Sequence, residues 1–66
     1  MRAIETYKKI KEYVDEKFSF LGLNRKREIE RLIFELFKTG KISDFSEIPA
    51  YKNYNQFKRD LLKIRY

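Results

Sequence analysis

Apolar residues recur at helical spacing in three long segments and one short segment of the chain. The first segment has no Pro or Gly inside it and predicts a helix over about residues 2–20. We expect Gly22 to end this helix in the left-handed conformation, with Leu23 folded back over the last turn. The residues of its apolar stripe are Ile4, Tyr7, Ile10, Val14 and Phe18.

The second segment predicts a helix over about residues 25–39. Asn24 is expected to cap its start, and Lys38 in the last turn with Gly40 just beyond marks its end. Its apolar residues follow an i, i+3, i+4, i+7, i+8 pattern and are Ile29, Leu32, Ile33, Leu36 and Phe37.

The short segment predicts a third helix over residues 44–48. Ser43 is its expected cap, and Pro49 prevents the helix from continuing. Phe45 and Ile48 are its expected inward-facing residues.

A fourth helix is predicted over about residues 54–65. Asn53 can cap its first turn, and Gln56 can reach back to the N–H of Asn53 to complete a capping box. The apolar residues of this helix are Phe57, Leu61 and Ile64.

These elements predict an all-α protein of one domain, residues 1–66. We expect a small bundle of about four helices, with a tri-helical core from the second to fourth helices and the first helix packed across it. Six Phe and five Tyr offset the short length, because each aromatic side chain buries a large area. The chain has no Cys and no His, which excludes disulfides and the usual zinc sites.

Catalysis is not expected, because the chain lacks the side chains that most often carry acid-base and nucleophilic chemistry. Ser43 is better interpreted as a cap than as a nucleophile. Asp44 and Glu47 could share a cation, but acids are favoured in a first helical turn for electrostatic reasons. Neither glycine-containing turn has phosphate-loop spacing. We therefore predict no enzyme activity, cofactor or metal.

Sixteen basic and ten acidic side chains give a net charge of +6, and residues 41–66 carry half of this excess. Such a charge favours polyanions, although a solvated lysine-rich surface explains it equally well. No apolar run approaches the ~20 residues of a membrane span, and residues 2–14 are too charged for a signal peptide. We expect a cytoplasmic, intracellular protein without a membrane partner. Abundant Lys and Glu with no Cys also favour a thermophilic source.

The last third of the chain has the hydrophobic spacing of two helices joined by a connection. Its key positions are Ile42, Asp44, Phe45, Glu47, Ile48, Tyr51, Phe57, Arg59, Leu61 and Ile64. This order resembles the generic pattern of helix-turn-helix DNA-binding regulators, and with the second helix it covers about two thirds of the chain. The connection over residues 49–52 lies at the long end of the standard turn of 3–4 residues and lacks its usual Gly.

The resemblance implies a transcriptional regulator, expected to be a dimer, that reads double-stranded DNA with the fourth helix. Residues expected to approach bases are Tyr54, Asn55, Gln56 and Arg59. Residues expected to contact phosphates are Lys52, Lys58 and Lys63.

A basic cluster at the start of the second helix consists of Arg25, Lys26 and Arg27. These charges oppose the positive end of the helix dipole. One interpretation is that the cluster binds nucleic acid. The other is that Glu28 and Glu30, with an acid from the first helix, neutralise it.

Three aromatic residues, Tyr13, Phe20 and Phe34, do not fit the inward stripes. Apolar side chains outside a small core often mark an interface. They support an alternative function, a helical adaptor or inhibitor that docks an aromatic patch on a partner protein. The dependence of affinity on salt concentration distinguishes the two functions, since binding through phosphates weakens steeply with ionic strength.

Overall fold

The computed structural model describes residues 2–66 and contains three α-helices and one 3₁₀ turn. The helices are α1 (Ala3–Lys17), α2 (Leu23–Lys38) and α3 (Tyr54–Arg65), and the 3₁₀ turn is Phe45–Glu47. The all-α class is therefore confirmed, but the prediction of about four helices was wrong.

The third predicted helix is only a single 3₁₀ turn, because it is capped at Asp44 and ends at Ile48. Asp44, and not Ser43, caps it by accepting a bond from Phe45 N at 2.8 Å. The carboxylate of Glu47 accepts from the backbone of Ser43 at 2.6 Å and of Asp44 at 2.9 Å. Ile48, before Pro49, then takes an extended conformation, as expected for a residue preceding proline.

The connection between α1 and α2 differs from the prediction at both of its ends. Helix α1 stops at Lys17, because Phe18 leaves the helix and buries its ring 5.1 Å from the ring of Phe57. Gly22 has φ −67° and is the N-cap of α2, so it forms no left-handed helix end. Leu23 starts α2 with 66% of its surface exposed and does not fold back over α1.

The end of α2 agrees with the prediction. Gly40 adopts φ 76°, the left-handed conformation. Its N–H donates to Phe37 O at 3.2 Å, and Lys41 N donates to Leu36 O at 2.9 Å. These two bonds form a Schellman motif, which turns the chain so that Ile42 returns to the core.

The predicted cap of α3 is confirmed, but its capping box is not formed. The side chain of Asn53 accepts from Gln56 N at 2.8 Å. The side chain of Gln56 does not reach back to Asn53, because it donates to Asp60 Oδ1 at 2.9 Å on the next turn.

Helix α2 lies between the other two helices and contacts both. Helix α1 runs antiparallel to α2, with Tyr7 beside Phe34 and Asp15 beside Lys26. All three helices contribute to the core, so the predicted core of the last three helices, with the first packed across it, was incomplete. The buried apolar residues are Ile10, Val14, Phe18, Ile29, Ile33, Leu36, Ile42, Phe57 and Leu61.

Ile4 was expected on the inward stripe of the first helix, yet 85% of its surface is exposed. It lies in the first turn of α1, beyond the part of α1 that contributes buried residues to the core. None of the helices within residues 2–66 is long and apolar enough to cross a membrane.

Candidate nucleic-acid interface

The outward face of α3 carries polar and basic side chains because its opposite face is committed to the core. Phe57 and Leu61 are buried, so the residues on the other side of the helix point to solvent. Asn55, Arg59 and Lys63 follow one another at i, i+4 and i+8, and all three are exposed. Exposed Lys52 precedes the helix. We call these four residues the α3 face.

The cations of the α3 face have no acidic partner in the part of the chain that the structure describes. Neither Lys52, Arg59 nor Lys63 forms an ion pair there. The amide of Asn55 likewise makes no side-chain hydrogen bond to residues 2–66. These donors are consequently available to an external acceptor.

Each acid of residues 41–66 is held in a local hydrogen bond, and none forms an ion pair with a cation of the α3 face. Asp44 and Glu47 close the 3₁₀ turn, and Asp60 accepts from Gln56. The backbone N–H of Ser43, its hydroxyl and the N–H of Asp44 hold the pKa of Glu47 below its usual value. No group of three or more His, Cys, Asp or Glu within residues 2–66 is placed to hold a metal ion.

Tyr54 and Lys58, two of the expected DNA contacts, instead join α3 to α2. The ammonium of Lys58 lies 2.6 Å from Glu28 Oε1, and the hydroxyl of Tyr54 donates to the same carboxylate. Arg25 lies over the ring of Tyr54, 4.8 Å from its centroid. A second pair, Arg65 with Glu35 at 3.1 Å, lies two turns further along both helices. The two pairs hold α3 parallel to α2.

The same contacts shift two pKa values. Hydrogen bonds from Lys58 and then Tyr54 lower the pKa of Glu28, because they favour its charged form. Burial, followed by the hydrogen bond to Glu28, raises the pKa of Tyr54 to about 12. At neutral pH the pair is therefore a carboxylate and a neutral phenol, the state that the observed bond requires.

The basic cluster at the start of α2 does not act as one group. Lys26 turns to α1, where its ammonium lies 3.6 Å from Asp15 Oδ1 and its side chain is 18% exposed. Arg25 turns to Tyr54 on α3, while Arg27 is exposed and forms no ion pair within residues 2–66. Asp15 is thus the acid expected from the first helix. Glu28 does not neutralise the cluster, because it pairs with Lys58 and Tyr54 of α3.

The three aromatic residues expected at a protein interface lie in different places. Tyr13 stacks on Phe45 at 4.9 Å and is half-buried, and this burial raises its pKa. Phe20 is 65% exposed at the end of the bundle and packs against Tyr51. Phe34, in the second half of α2, packs against Tyr7 of α1. They do not form one patch.

Two residues outside the expected DNA contacts extend the α3 face. Leu62 and Tyr66 line a shallow hollow together with Arg59 and Lys63, and Tyr66 is 90% exposed. Leu62 lies three positions after Arg59 and Tyr66 lies seven positions after it. Helical spacing of the kind that relates Asn55 to Arg59 could therefore have identified both residues.

Comparisons with protein-family models, curated proteins and solved structures found no match for this chain. Its function is therefore inferred from the side chains themselves.

Proposed function

We propose that this protein binds double-stranded DNA through the α3 face and acts as a small transcriptional regulator. The observation that carries the proposal is that Asn55, Arg59 and Lys63 share one exposed face of α3, that exposed Lys52 precedes it, and that none of the four has an acidic partner within residues 2–66. Such a face supplies hydrogen-bond donors for phosphate oxygens and for base edges.

The dimensions of α3 suit a DNA groove. Its 12 residues span about 18 Å at 1.5 Å per residue, and the major groove is about 12 Å wide, enough to admit an α-helix. Asn55 and Arg59, in the first half of the helix, then contact base edges. Asn pairs best with adenine and Arg with guanine. Lys52 and Lys63 contact the phosphates on either side.

The electrostatic part of this binding has a predictable size. Each neutralised phosphate contributes about −0.9 to the slope of log affinity against log salt. The two phosphate contacts, Lys52 and Lys63, give a slope of about −1.8, so affinity falls about 12-fold between about 50 and about 200 mM salt.

The test is fluorescence anisotropy with a pool of duplexes and a salt series. Arg59→Ala is expected to weaken binding to the preferred duplex by about 1–3 kcal/mol and to relax one base position. Lys63→Ala is expected to weaken all duplexes alike and to reduce the slope by about 0.9. Lys9→Ala on α1 is the control, since Lys9 is also exposed and without an ion pair among the described residues. Effects no larger than that of Lys9→Ala would refute the proposal.

A dimer would place two α3 faces on successive half-sites, about 34 Å apart. Analytical ultracentrifugation with and without a duplex that carries two half-sites tests this part of the proposal.

A second candidate function is docking on a partner protein. Its support is the set of exposed apolar side chains at the two ends of the bundle, Phe20 and Leu23 at one end and Ile4 at the other. The part of the affinity that comes from these apolar contacts changes little as salt rises, unlike that of a phosphate-binding face.

A further inference from the structure

Two shallow hollows that share Tyr7 and Phe34 form a groove between the first turns of α1 and the second half of α2. Its apolar floor is formed by Ala3, Ile4, Tyr7 and Phe34. On α2 the groove extends from Tyr7 and Phe34 to its charged rim, Arg31, Glu35 and Lys38. We call it the α1–α2 groove.

The floor stays apolar because its one polar group is turned inward. The hydroxyl of Tyr7 donates to Glu30 Oε1 at 3.3 Å, and Glu30 is buried. The ring of Tyr7 therefore faces the ring of Phe34, with centroids 5.5 Å apart, and nothing within residues 2–66 covers Ile4, which is 85% exposed.

The rim of the groove is positive. Arg31 and Lys38 are exposed, and neither forms an ion pair in the described part of the chain. Two acids lie near these cations. Glu28 acts on Arg31 but is paired with Lys58. Glu35 is held by Arg65 at 3.1 Å. A ligand at this groove consequently meets apolar surface flanked by two available cations.

Charge disfavours a second copy of this chain as the occupant. In a two-fold dimer the same patch meets itself, so each positive rim would approach its counterpart. Like charges brought together across an interface oppose association.

The architecture of the groove favours a helix over an extended segment. The described residues form no β-strand, so no sheet edge is present to which a peptide strand could add. Two adjacent antiparallel helices instead form a groove into which a third helix can pack its apolar ridge.

We propose that the α1–α2 groove binds an acidic amphipathic helix of a partner protein. Its apolar residues, at i, i+3, i+4 and i+7, contact Ile4, Tyr7 and Phe34, and its carboxylates pair with Arg31 and Lys38. The proposal rests on the second candidate function and names the partner's chemistry. It leaves the α3 face free, so the same molecule can hold DNA and a partner protein.

The test uses a phage-displayed library of helical peptides with leucine at i, i+3, i+4 and i+7 and with Glu, Lys or Ala elsewhere. Selection on the full chain is expected to enrich acidic peptides. The affinity of the best peptide is then measured by calorimetry. Ile4→Glu is expected to weaken it at least about tenfold, as for a central apolar anchor. Leu23→Glu is the matched control, because Leu23 is also an exposed apolar residue in the first turn of a helix.

A charge exchange checks the rim. Arg31→Glu is expected to weaken the acidic peptide and to favour the same peptide with lysines in place of its glutamates. Arg59→Glu on the α3 face is expected to weaken duplex binding and leave the peptide unaffected, which separates failure of this proposal from failure of the DNA proposal.

Several outcomes overturn the proposal. One is a library that yields no binder or yields binders without negative charge. A second is peptide binding that Leu23→Glu weakens instead of Ile4→Glu, since docking would then occur at the other end of the bundle. The others are a wild-type dimer that Ile4→Glu dissociates, and binding to phosphatidylserine vesicles that Ile4→Glu abolishes.

Discussion

Replacement of Gly40 by alanine should destabilise the protein through the backbone alone. Gly40 has φ 76°, and a Cβ built there meets no atom within 4 Å, so no side-chain clash contributes. The left-handed conformation costs an L-residue about 1–2 kcal/mol. Alanine also reduces the entropy of the unfolded chain, which offsets about 0.4–1 kcal/mol of this cost. We expect a net loss of about 1 kcal/mol, or about 4–8 °C in Tm for a domain of this size.

The chain supplies its own control in Gly22, its other glycine. A Cβ at Gly22 also meets nothing within 4 Å, but its φ of −67° suits any residue. Alanine there loses the modest preference for glycine at an N-cap and gains the unfolded-state entropy term. We expect these effects to cancel to within about 0.5 kcal/mol.

The stabilities of both variants are measured by thermal and urea unfolding, with circular dichroism as the signal. Equal stabilities of Gly40→Ala and Gly22→Ala would refute the reasoning, because the two positions differ in backbone conformation and not in space. A larger loss at Gly22 would mean that α1, and not α2, ends in the left-handed conformation.

Three further predictions concern caps and titrating groups. Asn53→Ala should cost about 1 kcal/mol through the lost cap of α3, measured by urea unfolding; Asn55→Ala should cost nothing comparable, and equal losses would contradict this. The pKa of Glu47 is lower in the folded protein than its ordinary 4.5, so its stabilisation is present above that pH and is lost as the pH falls through the folded pKa. Glu47→Gln should therefore lower the Tm at neutral pH and differ progressively less from wild type in acid; a difference that is constant with pH would disprove the assignment. Spectrophotometric titration of the tyrosines should find one phenol with a pKa of about 12, which Tyr54→Phe removes, and a titration unchanged by Tyr54→Phe would show that this phenol is a different residue.

Local signals alone predicted the features that depend on neighbours in the chain. The end of α2 needed only a residue that adopts positive φ without strain, and Gly40 is such a residue. The start of α3 needed only the side chain of Asn53 three residues before a free N–H. The exposure of Asn55, Arg59 and Lys63 followed from the burial of Phe57 and Leu61, because opposite faces of one helix cannot both be inward.

Local signals failed where the outcome depends on a distant partner. Phe18 continues the helical stripe of α1 in sequence, but it lies outside the helix. Its ring packs instead in the core against the rings of Tyr51 and Phe57, which are distant in sequence. Gly22 could equally end one helix or begin the next. Tertiary packing decided that it begins α2, because the chain must turn immediately after Phe18 is buried.

The side chains available to a partner were also decided by tertiary structure. Lys58 and Lys63 are the same residue type on one helix, yet only Lys58 reaches the carboxylate of Glu28. The sequence determined that the end of the chain is basic, since charge is a property of composition. Which of those charges lack an acidic partner depends on how α3 lies against α2, because an ion pair requires atoms within about 4 Å and sequence separation does not report that distance.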